Sequence, residues 1–236
     1  ECVEIAIAEA KKRGYKEYKF GDKLAVCGKY YFVNHLKSIA IFKIGKKNVE
    51  EAGIKLVVSH IDSPRLDIKQ NPLYENGEMS LLKTHYYGGI KKYQWTAIPL
   101  AIHGVVVLRD GTKKVIRIGE NATDPVFYVT DLLPHLAREQ MSKPANKIVE
   151  AENLNIVVGS TPYGGDDAKE AFKLATLKIL NETYGMTEED FLSAELTAVP
   201  AFPARDVGFD RALIGSYGHD DRVCAYPAMM AQFEAG

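Results

Sequence analysis

With 236 residues the chain can bury a sizeable core, as one large domain or two small ones. Its 30 Lys and Arg balance 31 Asp and Glu, and a formal net charge of -1 offers no general attraction to a polyanion, so nucleic acid is not an expected partner. Cys2, Cys27 and Cys224 are odd in number and form no CxxC pair, which argues against a disulfide framework and for a reducing, cytoplasmic setting. The most apolar run, Thr96 to Leu108, is interrupted by Pro99 and His103 and falls short of the roughly 20 residues that span a bilayer. No basic-then-apolar leader opens the chain, and no membrane partner is expected.

Residues 2 to 13 set Val3, Ile5, Ala6, Ile7 and Ala10 among Glu and Lys, a helical pattern closed by Gly14. "KYYFVNHLKSIAIFKIG" then alternates as a hairpin with Asn34-His35 near its turn. Leu56-Val57-Val58 reads as a buried strand that ends abruptly in Ser59-His60-Ile61-Asp62-Ser63-Pro64-Arg65; polar groups at a strand's exit face the space beyond the sheet edge, where sites collect. From about Pro72 the texture becomes rich in Tyr, Gly and Lys, and "IPLAIHGVVVLRDGTKKVIRI" reads as two strands joined at Asp110-Gly111. A helix is predicted over Thr130–Gln140, announced by Asp131 and carrying Leu132, Leu133 and Leu136. A strand follows over Leu154–Val158, then a helix over Ala168–Tyr184 capped by Asp166 or Asp167. Thr187, with Asp190 three residues on, opens a short helix before one more strand. A last helix runs from about Asp220, and Pro227 must kink or restart it. The class is α/β: a first part of an α/β domain over residues 1–70, a strand-rich middle over 71–212, and a return to the first unit over 213–236.

Two clusters carry chemistry. In an extended segment His60 and Asp62 point the same way, so His60 can offer a ring nitrogen to a metal while Asp62 orients the ring. The plainer alternative for this short motif is capping or packing. In His219-Asp220-Asp221-Arg222 two adjacent carboxylates repel, which a cation would relieve, and one carboxylate can bridge two metals. Here the plainer alternative is an N-cap neutralised by Arg222. If both clusters serve one metal centre, His60 and Asp220 should lie within about 5 Å of each other. Gly88-Gly89 lacks the spacing of a phosphate loop and reads as a turn. Tyr86, Tyr87, Tyr93 and Trp95, with their lysines, read as a subunit interface or packing ridge rather than a base-stacking platform. His35, His85 and His103 read as structural, and His135 as a modest candidate on its helix. Neither GxSxG nor HExxH occurs.

The stretches "SHIDSPRLDIK", "LLKTHYYGGIKKYQW", "PLAIHG", "DLLPHL", "AELTAVPAFPARDVGFD" and "YGHDDR" together resemble the zinc aminopeptidase family that includes aspartyl aminopeptidase and the yeast vacuolar aminopeptidase. The resemblance implies a dinuclear zinc exopeptidase, with cobalt or manganese as alternative metals. It also implies an α/β/α catalytic domain interrupted by a strand-rich dimerisation domain, and homodimers building hollow dodecamers that act on peptides. By that resemblance His60 is a terminal zinc ligand, Asp62 the residue orienting it, Asp220 the carboxylate bridging both zincs, and His135 the histidine that one subunit sends into its neighbour's site. Asp221 stands where relatives often have Asn, and Glu139 where they often have a second His.

The family pattern continues with a Glu-Glu pair, an Asp and a late His, so the chain reads as the N-terminal half of a longer enzyme and is expected to be inactive by itself. The N-terminal preference expected of the enzyme is acidic or broad. The competing readings are a non-enzymatic homo-oligomerisation module, and, less favoured for want of a phosphate loop, a sugar- or nucleotide-binding protein. The strand-rich middle, with Tyr86, Tyr87 and Trp95, is expected to bury well over ~1,000 Å² in a homodimer.

Overall fold

The computed structural model describes residues 2–164 and 168–235. Contacts divide the chain into two compact units, one formed by Glu1–Ser63 with Gly218–Gly236 and the other by Pro64–Tyr217.

The first unit opens with α1 (Cys2–Lys12), which buries Val3, Ala6 and Ala10 along one stripe. Glu4 in its first turn and Lys11 and Lys12 in its last suit the helix dipole. Strand β1 (Lys16–Glu17) pairs in parallel with β2 (Lys29–Asn34), which pairs antiparallel with β3 (Ser38–Lys43). The predicted hairpin is present, turning through His35 and Leu36, both at positive φ. Because the strand period is two, Tyr31, Val33, Ile39 and Ile41 share one face and pack with Ala10 and Tyr15, while Tyr30, Phe32 and Phe42 share the other. A short helix, α2 (Val49–Ala52), follows and ends at Gly53.

The strand predicted at Leu56-Val57-Val58 is not formed. Residues 53–64 are irregular, and these three side chains are 75–78% exposed. β-Branched residues favour a pleated surface only where a neighbouring strand and a core give them something to pack on, and among the described residues none pairs here.

The second unit is built on a seven-stranded sheet. Its strands are β4 (Arg65–Asn76), β5 (Met79–Tyr87), β6 (Leu100–Val107), β7 (Lys113–Ile118), β8 (Tyr128–Val129), β9 (Ile156–Gly159) and β10 (Glu195–Pro200), in the order β7-β6-β10-β4-β5-β9-β8 with antiparallel neighbours. The β6–β7 turn is the predicted Asp110-Gly111: Gly111 takes φ +85 and the Asp110 carboxylate accepts the Thr112 N–H at 2.8 Å. Leu66, Leu100, Val106, Leu154, Ile156 and Trp95 anchor one core.

The helix predicted over Thr130–Gln140 shrinks to α3 (Arg138–Met141). Pro134 lacks an N–H and crowds the preceding turn, and Leu132, Leu133 and Leu136 find no core, staying 55–63% exposed. The long helix, α4 (Ala171–Tyr184), packs on β4, β5 and β9. It starts three residues later than predicted, and the expected caps Asp166 and Asp167 lie outside the described residues. Its first amides are met instead by Glu75 of β4, whose Oε2 accepts the Phe172 and Lys173 N–H groups at 2.8 and 3.1 Å. The Thr187–Asp190 capping box is present and opens a 3-10 turn over Glu188–Ser193. Strands β11 (Arg205–Val207) and β12 (Leu213–Gly215) pair before the chain returns to the first unit as α5 (His219–Glu234). There Phe233 meets the Tyr15 ring edge-on at 5.2 Å.

The unit breaks fall at Ser63/Pro64 and Tyr217/Gly218 rather than after residues 70 and 212. The reason is pairing: β4 already pairs with β5 at Arg65↔Tyr87, and β12 pairs with β11 at Gly215↔Arg205. Among the described residues no helix is long and apolar enough to cross a membrane, and Cys2, Cys27 and Cys224 are free thiols.

Candidate metal site

Two chain segments of the first unit meet at His60. One is the irregular run that leaves α2 and carries His60, Asp62 and Ser63; the other is the start of α5 with Asp220, Asp221 and Arg222. His60 Nε2 lies 3.2 Å from Asp220 Oδ1 and 3.7 Å from Asp221 Oδ2, and its Nδ1 lies 3.3 Å from Asp62 Oδ1 and 3.2 Å from the Asp62 carbonyl oxygen. The expected closeness of His60 and Asp220 is therefore present. Both are open to solvent, with side chains 54% and 88% exposed. His60 is held above the ordinary imidazole pKa: partial desolvation opposes protonation, but the Asp62 carbonyl and the carboxylates of Asp221, Asp62 and Asp220 together outweigh it.

Asp221 has a different task from its neighbour. Its Oδ1 accepts the Cys224 N–H three residues on, at 3.2 Å, a capping contact for the helical turns that begin after the non-helical Asp220 and Asp221. The plainer reading of this pair thus applies to Asp221, while Asp220 is left facing His60. Arg222 does not neutralise the carboxylates as the sequence suggested. Its Nη1 donates to Ser63 Oγ and to the Gly218 carbonyl, both at 2.9 Å. Ser63 went unnoticed in the sequence because a serine beside a proline carries no spacing signal of its own.

The donor set suits zinc. Two ligands held at ~2.0–2.1 Å from one tetrahedral ion stand about 3.3 Å apart, and the His60 Nε2 to Asp220 Oδ1 separation is 3.2 Å. Asp62 behind Nδ1 is the partner that a ligating imidazole usually has. His60 and Asp220 supply two of the roughly four donors a zinc takes; among the described residues no group of three or more His, Cys, Asp or Glu stands ready to hold an ion.

His135 belongs to the second unit, on the exposed segment before α3. Three other histidines are accounted for locally: His103 Nε2 lies 2.7 Å from Glu120 Oε1, His85 stacks on Tyr86, and His35 forms the hairpin turn. Gly88 and Gly89 form the expected bend after β5. Trp95 is core, only 8% exposed, so of the aromatic ridge only Tyr87 and Tyr93 are substantially open. The Arg65 guanidinium lies 4.0 Å above the Tyr87 ring.

A family model described as "Aminopeptidase I zinc metalloprotease (M18)" matches residues 1–236. The chain belongs to the M18 zinc aminopeptidase family. Among curated M18 proteins, the probable M18 family aminopeptidase 1 of Clostridium acetobutylicum is 50% identical over 238 residues, covering 99% of this chain and 51% of that protein. The counterpart in Thermotoga maritima is 54% identical over 205 residues, covering 87% of this chain and 44% of its own length. The crystal structure of an M18 aminopeptidase from Thermotoga maritima superposes with a TM-score of 0.90 at 48% identity, covering 99% of this chain and 51% of that one. A structure described as the S. cerevisiae mApe1 dodecamer shares the fold at 18% identity and a TM-score of 0.68, over 98% of this chain and 51% of that one. The M18 chain described here thus spans about half the length of the relatives it matches.

Proposed function

We propose that the protein carrying this chain is a zinc-dependent aminopeptidase that removes N-terminal residues, of acidic or broad type, from peptides. His60 and Asp220 would hold the zinc, and Asp62 would orient the His60 ring. The observation that carries this reading is the 3.2 Å approach of His60 Nε2 to Asp220 Oδ1, a separation suited to two ligands of one ion. When bound, the metal, whether zinc or the alternatives cobalt and manganese, would polarise the scissile carbonyl and lower the pKa of a water so that it can attack as hydroxide. With an ion bound, Asp62 would keep the imidazole proton on Nδ1 and leave the Nε2 lone pair to the metal. Asp220, unpacked and open, has both oxygens available, while Asp221 secures the helix start beneath it.

The same reading gives the second unit an assembly role. Homodimers build towards a dodecamer, and His135 of one subunit completes the site of its neighbour. The dodecamer described for mApe1 and the open Tyr87 and Tyr93 support it. A cytoplasmic location accords with the three free thiols.

The test is hydrolysis of Asp-, Glu-, Leu- and Met-p-nitroanilides by the full-length protein with zinc or cobalt. Zinc-dependent release is expected, with His60→Ala and Asp220→Ala each at least ~10²-fold slower because ligand loss loosens the metal. Full activity in both variants would remove the assignment, and the anilide with the highest kcat/KM identifies the preferred residue.

A further inference from the structure

The geometry points to Ser63, Arg222 and Gly218 as a positioning latch that fixes the Asp220 main chain, and so the gap between His60 and Asp220. The inference rests on the metal reading above. The Asp220 side chain is 88% exposed, so nothing packed around it can aim it. Its direction must come from its backbone.

That backbone is tied to one hydroxyl. Ser63 Oγ donates to the Asp220 carbonyl at 3.0 Å, and Ser63 is only 7% exposed, so this contact is shielded from competing water. A serine hydroxyl has one proton to give. Arg222 ensures that it goes to Asp220, because Nη1 donates to the same Oγ at 2.9 Å and fills the acceptor side. The guanidinium charge polarises the chain Arg222 to Ser63 to Asp220, which strengthens the last link.

Nη1 also donates to the Gly218 carbonyl at 2.9 Å, folding the arginine back over the start of its own helix. Gly218 makes room for this. At φ +87, a Cβ there would stand 1.9 Å from Arg222 Nη1 and 2.7 Å from Cζ. Ser63 follows Asp62 directly and lies three residues after His60. The single hydroxyl therefore joins the segment bearing His60 and Asp62 to the segment bearing Asp220. None of the three touches the position an ion would occupy between His60 and Asp220; each acts through Asp220.

The test uses the full-length protein with two readouts independent of turnover, zinc affinity by chelator competition and the visible absorption of bound cobalt. Ser63→Ala is expected to weaken zinc ~10- to 100-fold, the range seen when groups that orient ligands are removed, and to alter the cobalt spectrum while the thermal midpoint moves little. Ser63→Thr keeps the hydroxyl and should restore both. Arg222→Lys keeps the charge but its shorter side chain sets the nitrogen back from the Nη1 position that meets both Ser63 and Gly218, and should fall between. In an Asp220→Ala background, Ser63→Ala should have no further effect on affinity. Wild-type affinity and spectrum in Ser63→Ala, with binding abolished in His60→Ala, would overturn the latch alone. No zinc bound by wild type, or none lost in His60→Ala, would overturn the metal reading and the latch with it. Should Ser63→Ala fail to fold, Arg222→Lys decides: unchanged affinity and spectrum there refute the latch, and a weakened, altered site supports it.

Discussion

Asp131 shows how one side chain can replace an element. The sequence offered it as the herald of a helix. In the fold its Oδ1 accepts the Leu132 N–H at 2.9 Å and the Gln140 amide at 3.0 Å, and its Oδ2 accepts the Thr96 hydroxyl at 3.1 Å. The segment carrying His135 is thereby closed on itself and tied to the residue after Trp95. The Gln140 amide foremost, then the Leu132 N–H and the Thr96 hydroxyl, hold the Asp131 carboxyl below its ordinary 3.8 despite some desolvation. A depressed carboxyl stabilises the fold fully above its unfolded pKa, and that contribution is lost as pH falls through the folded pKa. Asp131→Asn should therefore be less stable than wild type at pH 7, with the gap closing as pH drops below about 3.8. Thermal midpoints of the two proteins from pH 7 to pH 3 check this; a gap constant with pH would mean that the carboxylate charge contributes nothing. At this scale residue type was enough to expect His60, Asp62 and Asp220 to come close together, as they do. The contacts of Ser63 and Arg222 were illegible, because they exist only once two distant segments meet.

At the scale of elements, local signals succeeded where the sequence closes its own hydrogen bonds. The Asp110-Gly111 turn and the Thr187–Asp190 box need no distant partner, and both formed. Signals that depend on neighbours failed. Leu56-Val57-Val58 have strand residues without a strand beside them, and Leu132, Leu133 and Leu136 have helical spacing without a core to receive it. The start of α4 lies between these cases, because its cap is real but comes from Glu75, far away in sequence. Glu75→Ala should leave the Phe172 and Lys173 amides without their acceptor and cost about 1 kcal/mol, in line with other lost helix caps. Urea unfolding measures it. A change within error of zero would show that water serves those amides equally well.

For the whole molecule, the α/β class and the strand-rich middle were legible from periodicity, while the positions of the breaks were not, since they follow strand partners rather than composition. Assembly is the property with the clearest consequence at this scale. If His135 of one subunit serves the site of its neighbour, then full-length His60→Ala and His135→Ala proteins, each inactive alone, should regain activity when mixed after subunit exchange. Random pairing of such a two-fold dimer leaves about a quarter of the sites intact. Mixtures no more active than their components would show that His135 does not act across subunits.

The central claim is that His60 and Asp220 hold zinc, and locating the metal tests it without reference to turnover. Anomalous diffraction at the zinc edge from crystals of the full-length protein is expected to place an ion ~2.0–2.2 Å from both His60 Nε2 and an Asp220 carboxylate oxygen. Zinc bound elsewhere, with His60 and Asp220 ordered and outside its coordination sphere, would contradict the account.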